Sequence, residues 1–180
     1  MSEISSSTSA QGWHSSVSLG GRGPTSPTLY LALATVVLTV SSAAALEVES
    51  TATVPGKPAQ VWKKIGGFCS IKDWHPAIAK CEKSKEGGAT YRTLTTKDGG
   101  KIKEKLLKKN DSSYSYEIIE SPLPVQNYKA TISVAADGDQ TKVDWKSTFE
   151  AKGASDDDAK KVIDGIFKAG LDNLAKPAAN

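Results

Sequence analysis

The chain has little of what builds metal centres or disulfide scaffolds: two cysteines, two histidines and a single methionine among 180 residues. His14 and His75 lie far apart, so no ligand spacing for a metal can be read, and neither a metal nor an organic cofactor is expected. Basic runs interleaved with aromatics are missing as well. The formal charge is +3, aromatics make up 7%, and lysines alternate with acids, which excludes the electrostatic footprint of a nucleic-acid binder. No apolar stretch approaches the roughly 20 residues that a membrane-spanning helix needs. What remains, 38% hydrophobic and 24% charged residues, is the composition of one domain with a real core.

Residues 1–45 are a different material. Glu3 and Arg22 are their only charged residues, and they end in an apolar run of twelve (29–40) followed by Ser41-Ser42-Ala43-Ala44-Ala45. That run is too short to span a bilayer and suits the core of a secretory signal cleaved after Ala45. The domain proper is then 46–180, expected in the periplasm or secreted, with no stable membrane span after signal removal. An organelle transit sequence, which shares the Ser-rich and acid-poor character, or an uncleaved anchor is the alternative. In an oxidising compartment Cys69 and Cys81 would form a disulfide that stabilises by about 3 kcal/mol, with two buried thiols as the alternative.

From Leu46 onward the hydrophobic pattern repeats every second residue. Residues 47–54 alternate polar with apolar or small side chains and predict a first strand, closed by Pro55-Gly56. A short helix follows over 57–65, with Pro58 in its tolerated first turn, and Gly66-Gly67 stops it. A second helical turn over 70–74 ends before His75-Pro76. Strands are predicted over 78–84, 89–96, 101–109, 113–120, 127–135 and 141–150, separated by turn chemistry such as Glu86-Gly87-Gly88 and Asp137-Gly138-Asp139. Regular spacing of this kind makes an antiparallel meander.

Ser155 and Asp158 resemble a capping box opening a last helix. Ala159, Val162, Ile163, Ile166, Phe167, Gly170, Leu171 and Leu174 form its apolar stripe. Gly165 and Gly170 each cost the helix about 1 kcal/mol relative to Ala, which points to close approach or to space kept for something. The expected fold class is α+β: a curved seven-stranded antiparallel sheet wrapped around a long C-terminal helix, with two short helices after the first strand.

Strand parity turns polar groups inward. Glu104 shares its side with Ile102 and Leu106, Arg92 shares its side with Leu94, and Tyr128 shares its side with Ala130, Ile132 and Val134. A lone buried carboxylate costs several kcal/mol, so Arg92 is the expected partner of Glu104. The pair could be a structural ion bridge, or it could meet a ligand's polar end together with Tyr128. Trp145, Ile166, Phe167 and Gly170 would then line the ligand, although Trp62, Trp145 and Phe167 read equally well as core. His75 reads as a solvated loop side chain or a proton shuttle at a cavity mouth.

The order of these elements resembles the START-like, birch-pollen-allergen fold, the helix-grip architecture. Val61-Trp62-Lys63-Lys64-Ile65-Gly66-Gly67-Phe68-Cys69, Lys103-Glu104-Lys105-Leu106-Leu107, Tyr116-Glu117-Ile118, Asn127-Tyr128-Lys129-Ala130-Thr131 and Asp144-Trp145 are similar to the polyketide cyclase/dehydrase and lipid-transport family of the SRPBCC superfamily. Exported bacterial members, including those encoded beside methanol-oxidation genes, are similar in length and in having a signal peptide. Plant lachrymatory-factor synthases are similar around the Phe-Cys helix-turn, the strand Arg, the Lys-Glu-Lys-Leu run and the Tyr of the later strand, which implies active-site roles for Arg92, Glu104 and Tyr128. Abscisic-acid receptors are similar at Asn127-Tyr128, which implies a ligand-closing loop over 121–126; their gate sequence is missing around residues 96–101.

The resemblance implies an exported carrier or accessory protein that binds a hydrophobic, lipid- or polyketide-like molecule in an internal cavity. One alternative is a cofactor-independent cyclase, dehydratase or isomerase using Arg92, Glu104 and Tyr128. The other is an interaction module for a periplasmic redox enzyme, working through the loops at Trp74 and 121–126.

Overall fold

The computed structural model describes residues 45–176. Expectations for the targeting segment, His14 included, lie outside the described residues.

Alternating side chains yield β1 (Leu46–Pro55), whose Val48, Ser50 and Val54 are buried while Glu47, Glu49 and Thr51 face out. Helix α1 (Pro58–Ile65) opens with Pro58 in its first turn, and the Lys57 N–H donates to Gln60 Oε1 at 3.1 Å. The single turn α2 (Ile71–Trp74) buries Ile71 and Trp74. Then come β2 (Ile78–Glu86), β3 (Ala89–Thr96), β4 (Lys101–Lys109), β5 (Ser113–Glu120), β6 (Val125–Asp137) and β7 (Gln140–Ala151). The β2–β3 turn places Gly87 at φ 56° and Gly88 at φ 81°, the left-handed pair that a two-residue hairpin requires.

The sheet order is β1-β7-β6-β5-β4-β3-β2, antiparallel throughout. Because β1 and β2 sit at opposite edges, α1 and α2 form the crossing between them. Charged Lys80, Glu82, Lys83 and Lys85 occupy the exposed outer strand β2, a composition that discourages pairing with another chain.

Helix α3 (Asp156–Ala175) closes the concave side. Ser155 Oγ accepts from the Asp158 N–H at 3.1 Å, and Asp156, Asp157 and Asp158 favour the positive end of its dipole. Its buried face is Ala159, Ile163, Phe167, Gly170, Leu171 and Leu174; each large apolar side chain so covered contributes about 1.5–3 kcal/mol. The stripe is narrower than the sequence predicts. Val162 lies at its margin and is 38% exposed, while Ile166 is half-buried. A Cβ at Gly170 would lie 2.7 Å from His75 Cδ2 and 2.9 Å from Trp74 Cζ3, so this glycine permits close approach. Gly165 is exposed and has nothing within 4 Å.

Strand boundaries differ from expectation mainly at β6, which begins at Val125 rather than 127. The register shifts between Gln126 and Lys129, and Asn127 takes φ 53°, so the bulge masks the strand's start from a period-two reading.

Candidate functional site

Arg92 on β3 and Glu104 on β4 are cross-strand partners, and both turn onto the concave side with 0% and 4% exposure. Arg92 Nε donates to Glu104 Oε2, and Arg92 Nη1 donates to the backbone carbonyl of Phe68 in the α1–α2 loop. Aromatic faces enclose the cation: Arg92 Cζ lies 4.2 Å from the ring centre of Phe68, 5.0 Å from Tyr116 and 5.7 Å from Tyr114. Arg92 Nη2 and Tyr114 Oη are buried with no hydrogen-bond partner among the described residues, as are Trp74 Nε1 and Ser147 Oγ.

Tyr116 links this pair to the other expected residues. Its hydroxyl accepts from Trp145 Nε1 at 3.0 Å, and its ring lies 6.2 Å from Tyr128, which in turn stacks on Phe149 at 6.0 Å. Trp145 stacks on Phe167 at 4.3 Å, so these two pack against each other. Gly170 sits against Trp74, His75 and Trp145. Ile166 offers its backbone carbonyl, 2.9 Å from His75 Nε2.

The electrostatics follow from burial. Desolvation pushes the Glu104 carboxyl above its usual range, and Arg92 opposes that push. Burial works most strongly against the Arg92 charge, but Glu104 together with Tyr114 and Tyr116 outweighs it and holds the guanidinium protonated. Burial raises the phenols of Tyr114, Tyr116 and Tyr128, so all three keep their protons at neutral pH. The interior is therefore a charge-balanced pair surrounded by neutral hydroxyl donors, able to hold an oxygen acceptor or to move a proton at Glu104.

A groove of about 970 Å³ opens where β5 and β6 separate. Their pairing ends at Glu117 opposite Lys129, beyond which Val125 and Gln126 stay with β7. Tyr128 lines this groove on its inner side, beside Val125, Ile118 and Asn127. A shallower one of about 440 Å³ crosses the outer face past Leu107, Lys129 and Lys146. Neither is lined by Arg92 or Glu104.

Four features escaped the sequence reading. Tyr114 and Tyr116 share the parity that placed Glu104 inward, a signal present in 113–118. The Phe68 carbonyl carries no side-chain signal at all. His75 is buried, at 3% exposure, rather than solvated: its Nε2 faces the Ile166 carbonyl, and Nδ1 accepts from the Ala77 N–H at 3.2 Å. Trp74, expected at a surface loop, is 2% exposed. Cys69 and Cys81 are joined by a disulfide with their Cα atoms 5.5 Å apart. Among the described residues no cluster of His, Cys, Asp and Glu could hold a metal ion, and no helix is long and apolar enough to cross a membrane.

A curved antiparallel sheet that grips a C-terminal helix over a buried polar pair defines a helix-grip protein. The family model for polyketide cyclase / dehydrase and lipid transport matches residues 45–179, and the chain belongs to that family. The protein XoxI of Bacillus cereus is similar at 37% identity and TM-score 0.67, over 72% of this chain and 92% of that one. An uncharacterised protein of Bacillus thuringiensis is similar at 36% identity and TM-score 0.68, over 72% and 96%. The ZhuI aromatase/cyclase of a Streptomyces species shares the fold at 18% identity and TM-score 0.59, over 73% and 92%. Comparison with curated proteins gives no match.

Proposed function

We propose that this is an exported protein that binds a hydrophobic, lipid- or polyketide-like small molecule on the concave side of the sheet, approached by the groove at Tyr128, as a carrier or accessory factor. The ligand's polar end meets Arg92, Glu104 and Tyr128. One observation carries this reading: Arg92 Nη2 and the Tyr114 hydroxyl are buried near each other inside an aromatic interior, and neither has a close hydrogen-bond partner. Such groups cost about 1–3 kcal/mol each when left unsatisfied, and a ligand's oxygen would repay them. The lipid-transport character of the family supports an apolar ligand, and the groove at Tyr128 supplies an approach to the phenol layer. The disulfide suits an oxidising compartment and so supports export.

The enzymatic reading draws on Glu104. A carboxyl raised by burial beside a guanidinium is a stronger base than an ordinary glutamate and suits enolisation or the dehydration that the family's description names. A role as interaction module for a periplasmic redox enzyme loses Trp74 as a contact, because that side chain is buried.

The test is native mass spectrometry of protein purified from its own host. A co-purifying apolar molecule, released on denaturation, is the expected result. Protein of the bare chain mass, with no ligand recovered by solvent extraction, contradicts the proposal.

A further inference from the structure

The segment that supplies the Phe68 carbonyl is short and glycine-led. Residues 66–70 join α1 to α2; the Ser70 N–H donates to the Gly67 carbonyl (2.9 Å) within that turn, and the Asp73 N–H of α2 donates back to the Ser70 carbonyl (2.8 Å). Besides the packing of the Phe68 ring on Tyr114 and Tyr116 of β5, two ties run from it to the sheet. One is the Arg92 contact, with the carbonyl accepting Nη1 and the Phe68 ring under the guanidinium at 4.2 Å. The other is the covalent bond from the next residue, Cys69, to Cys81 on β2. Cys81 lies opposite Leu94, two positions along β3 from Arg92. The disulfide therefore staples the segment bearing the carbonyl to the strand pair bearing the cation.

Arg92 is anchored at Nε by Glu104, a neighbour on the sheet, and at Nη1 by Phe68, a visitor from the loop. Two anchors on a planar guanidinium fix its plane, and that plane aims the remaining nitrogen, Nη2. With the loop released, one anchor remains and the plane can turn about it.

From this we infer that the Cys69–Cys81 bond is a positioning element for Arg92, so that the interior polar site is completed only when the pair is oxidised. The inference rests on the ligand-binding reading above for its functional meaning. Reduction by an external dithiol breaks the S–S bond, takes up two electrons and two protons to give two thiols, and leaves the dithiol as its own disulfide. Loading of the site would thereby be tied to arrival in an oxidising compartment.

Arg92 makes the test clean, because the only other arginine is Arg22. The full chain, labelled with nitrogen-15, is followed at the Arg92 Nη–H resonances before and after dithiothreitol, and in a Cys69→Ala/Cys81→Ala variant. The expected result is Nη–H exchange faster by about tenfold or more in both forms lacking the disulfide, reversed on reoxidation of the wild type. Near-UV circular dichroism of the Trp145–Phe167 stack should stay unchanged. The probe 2-naphthol should bind the oxidised protein and bind the reduced form at least several-fold more weakly. Unchanged Nη–H exchange on reduction overturns the inference, as does loss of the whole aromatic signal, which would mean general unfolding. If 2-naphthol fails to bind the oxidised protein while Nη–H exchange still responds to redox state, the ligand reading falls and the coupling of the disulfide to Arg92 is upheld.

Discussion

Arg92 and Glu104 face each other in register across β3 and β4, each the other's charge partner in a setting almost closed to solvent. Removing one partner strands the other. Glu104→Ala should therefore cost about 3–5 kcal/mol in urea unfolding, because an uncompensated guanidinium is left buried. Replacing both, as Arg92→Met with Glu104→Leu, removes the desolvation penalty of two ions and should leave stability equal or higher. A double variant as unstable as the single one would mean that the pair holds the fold together.

His75 gives a pH dependence of definite sign. Burial lowers its pKa from the ordinary 6.5, and Arg92 adds to the lowering, against the opposing bond to the Ile166 carbonyl. Protonation would put a hydrogen on Nδ1, where the Ala77 N–H already points. The unfolded chain takes up this proton near pH 6.5 and the folded chain only at lower pH, so the stabilising contribution is complete above 6.5 and is lost as pH falls towards the folded value. Unfolding midpoints between pH 7.5 and 5.5 should fall more for the wild type than for His75→Gln. Parallel curves would show that His75 is not the titrating group.

The two helix glycines should respond oppositely to a methyl group. Gly165→Ala meets open space and should gain about 0.5–1 kcal/mol from helix propensity. Gly170→Ala drives a Cβ into His75 and Trp74 and should lose about 1–3 kcal/mol. Thermal unfolding of both variants reads the difference directly.

Tyr114 and Tyr116 are neighbours on one face of β5 with opposite expectations. Tyr116→Phe leaves the Trp145 indole N–H without its acceptor and should cost about 1–3 kcal/mol. Tyr114→Phe removes a hydroxyl that has no partner and should be neutral or mildly stabilising. A large loss at Tyr114 would reveal a hydrogen bond to it in solution.

Strand parity carried most of the site. Period-two alternation turned Arg92, Glu104 and Tyr128 inward because a side chain's face follows from counting along its strand, and the same count would have added Tyr114 and Tyr116. Backbone acceptors cannot be counted that way: the Phe68 carbonyl reaches Arg92 only because the α1–α2 loop folds over the sheet. His75 looked solvated because a loop histidine before proline usually is. Its burial depends on α3 arriving from nearly a hundred residues away to accept Nε2–H, with the contact at Ile166 separated by 91 positions. Helical spacing found the α3 stripe but overestimated its width at Val162, since the edge of a buried face is set by the partner's shape.

The most direct test of the central claim, that the interior polar pair receives a ligand, is calorimetric titration of 2-naphthol into wild type and into the Arg92→Met/Glu104→Leu variant. The expected result is saturable binding to the wild type and a loss of about tenfold or more in the variant, with both proteins equally folded, because charge-assisted hydrogen bonds are removed. Equal affinity in the two proteins would contradict it.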